Sequence, residues 1–124
     1  MSIKANIEIL FQNQLPIDAR NFNLVCFLFN IDTFTSLGCW KDIGNKAIAT
    51  LEGKSSLLDG SYGSRLDPIQ KCFEAAKSMG YDVFAVQHGG WCASSATASL
   101  TYKKYGASTD CRPDGEGGSW ANAV

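Results

Sequence analysis

The sequence predicts a small α+β domain, a twisted antiparallel sheet with one helix packed across it at about residues 67–79, locked by disulfides. Three observations carry this. Cys39, Cys72, Cys92 and Cys111 are spread widely, with no C-x-x-C pair among them. Residues 67–80 show helical spacing of apolar positions between a start and a stop signal, and residues 81–92 read as two strands about a glycine turn. With 124 residues, 45% of them hydrophobic, the chain is long enough for one core and too short for two.

The cysteines come first because they set the compartment. Structural zinc favours ligands in close pairs, which hold half of the tetrahedron before the rest arrives, and no such pair exists. Four separated cysteines in a short chain read instead as two disulfides, hence as an oxidising, extracellular setting. Of the three possible pairings, Cys72 with Cys92 and Cys39 with Cys111 gives one short and one long loop around a common core. Each such bond contributes ~2 to 4 kcal/mol. Cys26, within Leu24-Val25-Cys26-Phe27-Leu28, is left over. Its apolar neighbours favour a buried free thiol over intermolecular pairing.

Composition divides the chain into residues 1–36, a strand-rich appendage, and 37–124, a Gly-, Ser- and Cys-rich module. In the appendage, Ile3, Ala5, Ile7 and Ile9 alternate with polar residues, Pro16 and Asp18 mark a turn, and Phe22 to Ile31 forms a second apolar run too short to span a bilayer. In the module, Gly38 to Asp42 reads as an opening strand, Lys46 to Leu51 as a second, and Leu57 to Arg65 as loop. Asp67 suits an N-cap and Pro68 the first helical position. Ile69, Cys72, Phe73 and Ala76 then line one helical face, and Gly80 ends the helix. Tyr81 to Gln87 is strand-like, His88-Gly89-Gly90 a turn, and Trp91-Cys92 the start of the returning strand. Tyr102 to Gly106 and Asp110 to Ser119 are rich in turn residues.

The order Gly38-Cys39-Trp40-x-Asp42, a helix bearing Cys72, then Gly80-Tyr81-x-x-Phe84-Ala85-Val86-Gln87-x-Gly89-Gly90-x-Cys92 resembles the WSC domain. WSC domains are cysteine-bridged modules of fungal cell-wall sensors, carbohydrate oxidases and animal surface proteins. The chain looks most like the divergent WSC-like modules of invertebrate secreted and cell-surface proteins, which continue with Ser94-Ser95-Ala96-x-Ala98, Thr101-Tyr102-x-Lys104-Tyr105-Gly106, Cys111 and Gly117-Gly118-x-Trp120-Ala121-Asn122. WSC domains typically carry a C-x-C after the glycine turn, where this chain has Cys92 followed by Ala93. The resemblance covers about residues 37–124. It implies a small sheet crossed by a helix, and binding to glycans or glycoproteins of walls and matrices.

Residue types agree with that expectation. Flat aromatic faces stack on sugar C–H surfaces, and amides, carboxylates and hydroxyls meet sugar hydroxyls. Trp91 and Tyr105, at turn edges, and Trp120, flanked by Gly118 and Asn122, are the candidate stacking residues, with Gln87 and Asn122 as polar partners. Trp40, beside a bridged cysteine, reads as core.

Other classes fare worse. The formal charge is −1, from 11 basic and 12 acidic residues with scattered lysines, so no field steers nucleic acid or anionic lipid. Gln87 to Ser95 superficially echoes a papain-like nucleophile segment. The only histidine, His88, lies upstream of Cys92, where it cannot play the downstream base, and Cys92 is better explained as a disulfide. Asp42, Glu52, Asp59, Glu74 and Asp82 form no acid/base motif. Asp110, Asp114 and Glu116 could offer oxygens to calcium, but their spacing is not that of an EF-hand, and a solvated acidic loop is the plainer reading. The expectation is therefore an extracellular, non-enzymatic, lectin-like module without cofactor or resident metal. A structural or adhesive protein-binding module is the alternative, with the N-terminal strands and Cys26 suited to self-association.

Overall fold

The computed structural model describes residues 4–5 and 32–124. Cys26, the Pro16/Asp18 turn and most of the two N-terminal strands expected from the sequence lie outside these residues. Of that segment, β1 (Lys4–Ala5) pairs antiparallel with β2 (Asp32–Thr33). Internal contacts separate it from the compact unit Ser36–Val124, which carries the fold described below.

This unit is a disulfide-stabilised α+β fold. Its elements in order are β3 (Cys39–Lys41), two 3-10 turns (Ser56–Leu58 and Tyr62–Ser64), α1 (Pro68–Ser78), β4 (Phe84–Gln87), β5 (Trp91–Ser94), α2 (Ala98–Thr101) and β6 (Ala121–Ala123). The sheet is antiparallel in the order β3-β6-β4-β5. Helix α1 begins as the proline predicts, with Pro68 in its first turn. Asp67, however, makes no side-chain cap. It sits in the left-handed region at φ 48°, and the right-handed helical conformation is disfavoured there because Asp67 precedes a proline. Gly80, at φ 76°, follows the last turn and lets the chain reverse into β4.

Alternation along β4 sorts the core into two layers. Phe84 and Val86 point to one face, where Cys72, Phe73, Ala75 and Ala76 of α1 close over them with Leu51, Leu58 and Cys92. Ala85 and Ala93 point to the other, packing with Ile48, Val83, Ala98 and Val124, and with half-buried Trp40, Trp91 and Tyr102. The Cys72–Cys92 disulfide runs through the first layer, both residues fully buried. Cys39–Cys111 ties β3 to the glycine-rich segment before β6.

Residues 46–51, expected as a strand, are irregular and touch the sheet through one bridge, Thr50 to Ala93. The Thr50 hydroxyl turns back on the backbone, bonding Cys92 O and accepting from Glu52 N, which ends the ladder there. Glu52 then meets Arg65 in a bidentate pair at 2.7 and 3.0 Å. The same guanidinium donates to Leu58 O and Gly90 O, and Glu52 Oε2 accepts from Cys92 N. One buried arginine thus fastens the 52–65 segment, which contains the two 3-10 turns and of which Leu57 to Arg65 is expected as loop, to the β4–β5 turn.

Candidate functional site

On the sheet face away from α1, strand register builds one row of side chains. Trp40 on β3 stands opposite Asn122 on β6, and Gln87 on β4 stands opposite Trp91 on β5. The Val86–Ala123 pairing sets Gln87 across from Asn122. Side chains in such positions lie about 5 Å apart at Cβ. The row therefore reads Trp40, Asn122, Gln87, Trp91, two indoles flanking two amides.

The sequence suggests Gln87 and Asn122 as an accessible polar fringe. They are instead buried, at 1% and 0% exposure. They lie on the middle strands of the sheet, and this face is covered by its own side-chain layer. Gln87 Oε1 and both amide atoms of Asn122 nevertheless lack hydrogen-bond partners among the described residues. Buried amides are rarely left so, since each unmet group costs about 1 to 3 kcal/mol.

Above this row lies Lys46. Its Nζ is 4.5 Å from the centroid of Trp91 and 4.5 Å from that of Trp120, so the two indoles stand no more than twice that distance apart with an ammonium between them. The same nitrogen is 3.2 Å from Asp42 Oδ2, an ion pair outside hydrogen-bond alignment. Asp42 is buried, and its Oδ1 accepts from Ala47 N, which folds the 42–47 loop back over the sheet. Sequence reasoning marks neither Asp42 nor Lys46 as a binding residue. Their i,i+4 spacing directly after Trp40 is the one signal that points to them.

Trp120 is the exposed member, at 50%. Its backbone is left-handed at φ 52°, a conformation that costs a side-chain-bearing residue about 1 kcal/mol. It is held there by Asp42 N donating to Trp120 O and by the Gly118–Ala121 turn. The exposed His88 meets its ring edge-on at 6.2 Å. Trp40 is half-buried, with its Nε1 donating to Leu37 O and Tyr102 packed edge-on at 5.4 Å. Tyr105 stands apart from the row. It is half-buried, with Lys104 Nζ over its ring at 5.3 Å and its hydroxyl donating to Asn45 O, so it braces the loop that carries Lys46. Tyr105→Phe is expected to lower stability by about 1 kcal/mol, read as a shift of the denaturant midpoint with unchanged slope.

The acidic loop shows a local role. Asp114 Oδ1 accepts from Glu116 N, and among the described residues no three His, Cys, Asp or Glu side chains group as metal ligands. Cys92 is disulfide-bonded, so it offers no nucleophilic thiol.

Fold and disulfides together define the class as a small, cystine-stabilised α+β module. Comparison with family models, curated proteins and solved structures gives no match.

Proposed function

We propose that the Ser36–Val124 unit is an extracellular carbohydrate-binding module of the WSC-like kind, whose recognition surface is the Trp91–Trp120 side of the sheet. The observation that carries this reading is the pairing of two indoles, one of them projected by a left-handed backbone, about a single polar slot. Indole faces supply the apolar contact that sugar C–H surfaces need. Strained backbone maintained at an exposed aromatic residue is a mark of a site rather than of a core. Two disulfides suit the oxidising setting of secreted and surface proteins.

A glycan array on the purified, oxidised protein tests the reading. Selective binding is expected, and silence across wall and animal glycans would move the assignment to a protein-binding adhesive module. Trp120→Ala should weaken glycan binding roughly tenfold or more, as loss of an anchoring aromatic does. Its near-UV dichroism should retain a folded signature, since the side chain is half exposed. Unchanged affinity in that folded variant would remove Trp120 from the site.

A further inference from the structure

The slot between Trp91 and Trp120 is chemically specific, and its present occupant shows for what. An ammonium there faces two π-surfaces at 4.5 Å and a buried carboxylate at 3.2 Å. Each of these three contacts favours a cation over a neutral hydroxyl in its place. Behind the slot, on the same sheet face, the unmet atoms are mostly acceptors: Gln87 Oε1, Asn122 Oδ1 and the poorly aligned Asp42 Oδ2, against one donor, Asn122 Nδ2. A group that takes the place of the Lys46 ammonium beside Asp42 is therefore a donor that carries positive charge. Lys46 is displaceable. It sits on an irregular loop with its side chain 31% exposed, on a flexible four-carbon stem.

We propose that the site takes a glycan bearing a free amine, a hexosamine whose nitrogen is not acetylated, and that Lys46 is an internal stand-in for that amine. On binding, the sugar ammonium replaces Lys46 Nζ between the indoles and beside Asp42. The ring lies against Trp120. An N-acetylated sugar presents a neutral amide to Asp42, and a uronic acid presents a like charge. Both are disfavoured. This deepens the carbohydrate-binding reading and rests on it.

Calorimetric titration of the oxidised protein with the glucosamine disaccharide and with its di-N-acetylated counterpart is the direct test. The amine form is expected to bind roughly tenfold more tightly. Butylamine, an ammonium without a ring, is expected to bind at least tenfold more weakly than the amine disaccharide. Lys46→Met removes a tethered competitor and should tighten amine-sugar binding roughly tenfold. Asp42→Asn, which keeps the Oδ1 acceptor for Ala47 N, should erase the preference for the free amine.

Equal affinity for the two disaccharides would overturn amine selectivity while leaving carbohydrate binding standing. Equal affinity for butylamine would reduce the site to simple cation capture and overturn the sugar assignment. If neither disaccharide binds and the glycan array is also silent, the parent reading itself fails. If either variant does not fold, the titration of the wild-type protein with the two disaccharides still supports or overturns the proposal.

Discussion

Reduction of the two disulfides is expected to unfold the Ser36–Val124 unit at room temperature. Cys39 and Cys111 are 72 residues apart and Cys72 and Cys92 are 20 apart. Chain-entropy estimates for loops of those sizes give about 4 and about 3 kcal/mol. Together they rival the whole net stability of a domain of this length, which is commonly about 5 to 15 kcal/mol. The expected result is loss of near-UV dichroism and of a cooperative urea transition after treatment with reductant, both regained on reoxidation. The Cys39→Ala/Cys111→Ala pair should cost more than the Cys72→Ser/Cys92→Ser pair if loop entropy dominates. The reverse order would show that the buried sulfurs of the second bridge, packed among Phe73, Phe84 and Val86, matter more for filling the core than for tethering the chain. A reduced protein that keeps its tertiary signature would remove the disulfides as the main source of stability.

The second large effect is expected at Gly117 and Gly118. A Cβ on Gly118 would stand 1.9 Å from Asp110 O, and one on Gly117 would stand 2.2 Å from Val86 O and 2.7 Å from Ala121 O. These obstacles are backbone atoms that cannot rotate away. Gly117 also has φ 73°, where alanine is strained whatever the space. Gly117 O accepts from Arg112 N, and Gly118 O from His88 N. The pair therefore threads between the Cys111 loop and the start of β6 with no room for a side chain. Either alanine variant should lose about 3 kcal/mol or more, seen as a collapse of the urea midpoint or as insoluble expression. Gly53→Ala offers a contrast. Its Cβ would meet nothing within 4 Å. Only its left-handed φ of 79° penalises the change, at about 1 kcal/mol. Comparable losses at positions 53 and 118 would discount the close approach as the cause.

Much of the fold is legible from local chemistry. Pro68 and Gly80 bracket a helix whose apolar spacing is regular, and His88-Gly89-Gly90 reads as a reversal because left-handed backbone at positions 88 and 89 suits a tight hairpin turn. What escapes is non-local. Strand β6 has three residues and follows a run of glycines, so no two-residue periodicity announces it, and its place between β3 and β4 is set by partners far away in sequence. Residues 46–51 carry strand-forming types, yet Thr50 diverts the chain. Of the site, the tryptophans are readable as residue types, whereas their convergence on Lys46 is not. Alternation assigns Gln87 to a face without saying that the face is covered. The same limit hides Asp42, whose carboxylate is spent on the loop amide of Ala47 and on Lys46.

The position of β6 has a consequence for how the sheet is assembled. Helix α1, β4 and β5 are consecutive in the chain, and their contacts close over short separations, so this half is able to form early. Strand β3 precedes them all, and its partners lie far along the chain, β6 on one edge and residues 106–108, through the Trp40–Ala107 bridge, on the other. It joins the sheet only when residues 121–123 slot between it and β4. The amide row and the Trp120 projection come into being in that same closing step. The half of the molecule that folds locally is a scaffold without the proposed site, which is completed last, with the strand that completes the sheet.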